Sequence, residues 1–131
     1  MTEGKVLGIG GLFLRADDPQ ALAAWYRDHL GFPVTSAGEA APDGEWFWAA
    51  QGGETVYSIF PRSSDYFAAD RQVMVNLRVA GIDALIARLR AAGIEVITKP
   101  EWDHPDVGRF ARIHDPEGNP IELWEPPAAK G

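Results

Sequence analysis

Glu122 stands in Ile121-Glu122-Leu123-Trp124, a run that alternates at the two-residue period of a β-strand. Glu122 and Trp124 therefore share a face, and Ile121 and Leu123 share the other. A carboxylate in mid-strand beside a Trp exceeds what plain packing needs. It suits a general base, a hydrogen-bond acceptor for a ligand, or one half of an ion pair. His104, in Asp103-His104-Pro105-Asp106, is the histidine placed for acid–base work near neutral pH. Glu122 and His104 are thus the catalytic candidates. His29, at a helix C-terminus, and His114, beside a turn, read as structural. Trp46, Trp48, Tyr57, Phe60 and Trp124 are dense aromatics on predicted strands. Each alone reads as core; as a set on one concave wall they would hold a flat apolar molecule.

The elements that position these residues follow from local signals. Asp115-Pro116-Glu117-Gly118-Asn119 is a turn sequence between two alternating runs, so residues 109–126 form a β-hairpin. A hairpin symmetric about Glu117 sets Arg112 directly opposite Glu122. Arg112 then either neutralises Glu122 or joins it in contacting a ligand. Asp18-Pro19 opens a helix over 19–30 that Gly31 ends, and a second helix spans 82–92 before Gly93. Strands are expected at 6–16, 32–35, 45–50, 54–60, 72–79 and 94–98, and residues 62–72 read as a linker.

This order repeats. Leu14-Arg15-Ala16 matches Leu77-Arg78-Val79 at a spacing of 63, and Gly31-Phe32 matches Gly93-Ile94 at 62. Residues 56–61 match 121–126 at 65. With Ala21-Leu22 matching Ala84-Leu85 at 63, four such matches in order imply a duplicated β-α-β-β-β unit: module one over 6–61 and module two over 73–126. Equivalent strands of two modules face each other across a pseudo-twofold axis, which would bring Tyr57 over Glu122. The phenol would donate, the carboxylate accept, and a polar group on a flat ligand would be oriented between them.

Composition narrows the function classes. The chain has 131 residues, enough for one domain with a real core. Twelve basic residues against 19 acidic give a net charge of −7, which disfavours nucleic acid. No apolar run is long enough for a membrane span, and no signal peptide is evident. The absence of Cys removes disulfides, thiolate nucleophiles and Cys-ligated metals. A cytoplasmic protein is expected. Serine nucleophile elbows, phosphate loops and dinucleotide fingerprints are also missing.

The duplicated unit, with Trp25-Tyr26 through Leu30-Gly31-Phe32 and Asp115-Pro116-Glu117-Gly118-Asn119-Pro120-Ile121-Glu122-Leu123, resembles the vicinal oxygen chelate superfamily of glyoxalases, bleomycin-resistance proteins and extradiol dioxygenases. The resemblance implies one α+β domain of two tandem βαβββ modules forming a curved sheet cup with helices outside, commonly as a homodimer. It places the metal ligands of metal-using members at Gly11, Tyr57 (or Ser58, with a one-residue slip), Met74 and Glu122. Only Glu122 among these is a good ligand for zinc, nickel or iron, so no metal and no cofactor is expected. Two function classes stay open. One is a metal-free binder of a small aromatic or apolar molecule; the other is a lyase, isomerase or dioxygenase. The second needs a divalent metal or acid–base chemistry from Glu122 and His104.

Overall fold

A computed structural model describes residues 4–5, 9–32 and 50–128. Among them are helix α1 (Pro19–Leu30), strand β1 (Val75–Arg78), helix α2 (Ile82–Ala91), a short 3-10 turn (Pro100–Trp102), strand β2 (Arg109–His114) and strand β3 (Pro120–Glu125).

The helix ends follow the local chemistry. The Asp18 carboxylate accepts from the Ala21 N–H at 3.0 Å, Pro19 takes the first helical position, and Gly31 closes α1 at φ +74°. Helix α2 has no cap of its own. The carboxylate of Glu125, at the far end of β3, accepts from the Gly81 and Ile82 N–H groups at 3.3 and 3.1 Å. It satisfies two of the orphan donors at the helix start and sets a negative charge at the positive end of the dipole.

The three strands form one sheet in the order β1-β3-β2, β3 running parallel to β1 and antiparallel to β2. The hairpin register pairs Arg112 with Glu122 and His114 with Pro120. Pro120 has no N–H, so His114–Pro120 must be a non-hydrogen-bonded pair. By alternation, so is Arg112–Glu122. The Arg112 N–H and carbonyl turn outward instead and bond to Ile97, at 2.8 and 2.9 Å. In such pairs the side chains stand closest, which brings the two charges together.

One face of the sheet is the core. Ala111, Ile113, Ile121 and Leu123 are fully buried against Leu22 and Tyr26 of α1 and Ile82, Ile86 and Leu89 of α2. The helices thus lie on one side of the sheet. The turn is tied to the same side: Asp115 accepts from the Tyr26 hydroxyl at 2.7 Å, from the N–H groups of Glu117 and Asn119 at 2.9 Å, and from the Asn119 amide at 2.8 Å. Burial and this carboxylate push the Tyr26 phenol far above its ordinary range, so it stays a donor.

Several expected strands differ. Residues 9–16 and 54–60 form no strand, and 94–98 supplies only the Ile97–Arg112 bridge. Alternation records which face is apolar, but a strand also needs a ladder partner, and Gly10 and Gly11 further weaken the first segment. Of the strands expected at 32–35 and 45–50, only Phe32 and Ala50 are described, and neither is in a strand. Trp46 and Trp48 lie outside the described residues.

Candidate functional site

The face opposite the helices carries the row Asn76–Glu122–Arg112, one residue from each strand, fixed by the sheet register. The Glu122 and Arg112 side chains are 9% and 6% exposed, with Arg112 Nη2 3.8 Å from Glu122 Oε2. Removing two charges from water is costly, and an ion pair without a direct hydrogen bond returns only part of that cost. The remainder comes from the neighbours. Asn76 Nδ2 donates to Glu122 Oε1 at 2.7 Å, and the Tyr66 hydroxyl donates to Glu122 Oε2.

Arg112 lies between two aromatic rings. Its guanidinium carbon is 4.8 Å from the Tyr66 ring centroid and 5.2 Å from that of Trp102, a cation–π arrangement for which the planar guanidinium is suited. Its Nη1 donates to the Tyr66 carbonyl at 2.8 Å, while Nε and Nη2 are buried with no hydrogen-bond partner among the described residues. Phe60 stacks on Tyr66 at 5.3 Å with the planes 17° apart, and Trp102 meets the same ring edge-on at 5.8 Å. Local chemistry places both rings. Ser64 closes a turn by accepting from the Tyr66 N–H at 3.2 Å, and Pro100 begins the 3-10 turn that presents Trp102. Burial, then the Glu122 hydrogen bond, pushes the Tyr66 phenol up to about 12. It is therefore a firm donor at neutral pH.

The next row, Arg78–Trp124–Phe110, continues this face. Arg78 donates to the Glu54 and Gln51 carbonyls at 2.9 and 2.7 Å and ties that segment to the sheet. Trp124 stacks on Phe110 and donates to the Val107 carbonyl at 2.8 Å, so its polar end is satisfied within the chain.

The structure brings Glu122, Arg112 and Phe60 together through Tyr66, with Trp124 one row away. It does not set Tyr57 over Glu122. Tyr57 is 82% exposed, and the phenol on the carboxylate is that of Tyr66. Tyr66 lies within residues 62–72, the segment expected as a linker. His104 is exposed, and its Nδ1 accepts from the Asp106 N–H at 3.1 Å; no described contact joins it to Glu122. Tyr66, Asn76 and Trp102 were missed. Asn76 was within reach of a register argument had the parallel pairing of β1 with β3 been foreseen.

Residues 8–123 match the sequence model of the Glyoxalase/Bleomycin resistance protein/Dioxygenase superfamily. The chain belongs to that superfamily. No curated protein matches it. Among solved structures, it is similar to TnmS3, an antibiotic binding protein from Streptomyces sp. CB03234, at 24% identity over 85% of this chain and 88% of that one, with a TM-score of 0.47. A glyoxalase/bleomycin resistance protein from the same organism shares 25% over 83% and 92%, with a TM-score of 0.46. The oxidase ChaP-H2 shares 23% over 88% and 91%, with a TM-score of 0.49.

A divalent metal does not fit the residues at the positions that the resemblance assigns to its ligands. Gly11 has no side chain, Tyr57 is turned out to solvent, and the Glu122 oxygens already accept from Tyr66 and Asn76 beside the Arg112 cation. Among the described residues, no three His, Asp or Glu side chains converge. No described helix is long and apolar enough to cross a membrane.

Proposed function

We propose that this member of the superfamily binds a small aromatic molecule, without a metal, on the sheet face opposite its helices, against Glu122, Arg112, Trp102 and Phe60. The observation that carries the reading is the buried Glu122–Arg112 pair on the face that the core does not use, walled by aromatic rings. A face needed only for packing would be apolar there. Two opposite charges under aromatic walls supply one acceptor and one cation to orient a flat ligand.

A thermal-shift screen of aromatic metabolites, with and without added metal, tests this. A ligand present at about 100 times its dissociation constant adds about 2.7 kcal/mol to the folded state. The shift should be independent of metal and should disappear in Glu122→Gln. A shift that needs zinc, nickel or iron, or one that survives Glu122→Gln unchanged, would remove the proposal.

The chain is also proposed to pair with a second copy. Phe13, Val56, Tyr57 and Ile59 are 94%, 64%, 82% and 79% exposed, apolar side chains that a second copy would cover. Sedimentation at micromolar concentration should give a dimer; a species near 14 kDa would refute it.

A further inference from the structure

We infer that the ligand of the Glu122 face is an aromatic ring carrying a hydroxyl ortho to a carboxylate or carbonyl oxygen, and that Tyr66 holds its place in the free chain. This rests on the reading of that face as the binding face. The Tyr66 side chain is held as a separate phenol would be. Its hydroxyl donates to Glu122 Oε2, its ring lies over the Arg112 guanidinium, Phe60 stacks on it, and Trp102 meets its edge. It comes from a segment with neither helix nor strand, so its withdrawal breaks no ladder.

A phenol satisfies only half of this site. It brings a donor for Glu122 but no acceptor for Nε and Nη2 of Arg112, which are buried with no hydrogen-bond partner among the described residues. Those two nitrogens form one edge of the guanidinium, the edge that grips a carboxylate with two parallel hydrogen bonds. Nη2 lies 3.8 Å from Glu122 Oε2, the oxygen that accepts the phenolic hydrogen bond. An acceptor that reaches this edge while a hydroxyl stays on Glu122 must therefore sit on a neighbouring atom of the ring. A para arrangement puts the acceptor too far away. Because the Tyr66 hydroxyl already occupies Glu122 Oε2 and its ring takes the guanidinium face, an incoming hydroxyl takes that oxygen only as Tyr66 leaves, and binding is weakened by the fraction of chains in which Tyr66 is in place.

Isothermal titration of the wild type, Tyr66→Ala and Tyr66→Phe with salicylate, 4-hydroxybenzoate, phenol and 2-naphthol tests the inference. Salicylate should bind Tyr66→Ala at least tenfold more tightly than the wild type, a gain of about 1.4 kcal/mol. It should also exceed 4-hydroxybenzoate and phenol by roughly tenfold on the same protein. Tyr66→Phe, which keeps the ring and loses only the hydroxyl, should shift in the same direction by less, and it serves if Tyr66→Ala does not fold. Arg112→Lys, which has no two-nitrogen edge, should remove the preference for salicylate over 4-hydroxybenzoate. Equal affinity for the ortho and para acids, or no gain in either Tyr66 variant, would overturn the inference. The binding face itself would stand if 2-naphthol still bound in a Glu122-dependent way. If none of the four bound any of these proteins, both readings would fall.

Discussion

Replacing Arg112 by methionine should lower the free energy of unfolding by roughly 3–5 kcal/mol, the cost of stranding a buried charge. Glu122 would keep its hydrogen bonds from Tyr66 and Asn76 but lose the nearby cation, at 9% side-chain exposure. Glu122→Gln should cost less, about 1–3 kcal/mol. The amide still accepts one hydrogen bond, and the Arg112 cation keeps its two aromatic faces. The double variant should be less destabilised than the sum of the two, a coupling that a double-mutant cycle in urea reads directly. Strict additivity would mean that the two charges do not interact and that each is held by its other neighbours alone.

Gly108→Ala is expected to cost about 3 kcal/mol, from backbone strain and overpacking together. Gly108 has φ +129°, a conformation that an L side chain rarely adopts. An added Cβ would press on the Glu125 carbonyl oxygen and lie 2.8 Å from Trp124 Nε1. Backbone and a packed indole cannot yield as a flexible side chain would. The damage should spread, because Glu125 also caps α2 and Trp124 is hydrogen-bonded to Val107. Gly52→Ala is the control: nothing lies within 4 Å of its added Cβ, and its effect should stay within about 0.5 kcal/mol. Equal urea midpoints for the two variants would contradict this account.

The parts of the fold legible in the sequence are those specified locally. Pro19 and Gly31 bound α1 because their φ preferences act on the chain itself. The Asp115–Asn119 turn sets the hairpin register, and with it the Arg112–Glu122 pair. Tyr66 and Trp102 lie in segments without hydrophobic periodicity, where nothing nearby in the sequence says which ring reaches Glu122. The Tyr57 expectation shows the same limit. The repeat pairs residues 56–61 with 121–126 in sequence, but the exposed Tyr57 is not what meets the carboxylate. Asn76 joins the site through a parallel pairing of strands more than forty residues apart, which no local pattern encodes.

The central position of β3 also governs the order of assembly. Both of its neighbours, β1 and β2, precede it in the chain. At about 5–20 residues per second, β1 emerges from the ribosome several seconds before the strand it pairs with. During that interval α2 also lacks the Glu125 carboxylate that covers its first N–H groups. The nascent chain thus holds an unpaired strand and an open helix end until one six-residue segment arrives and completes both.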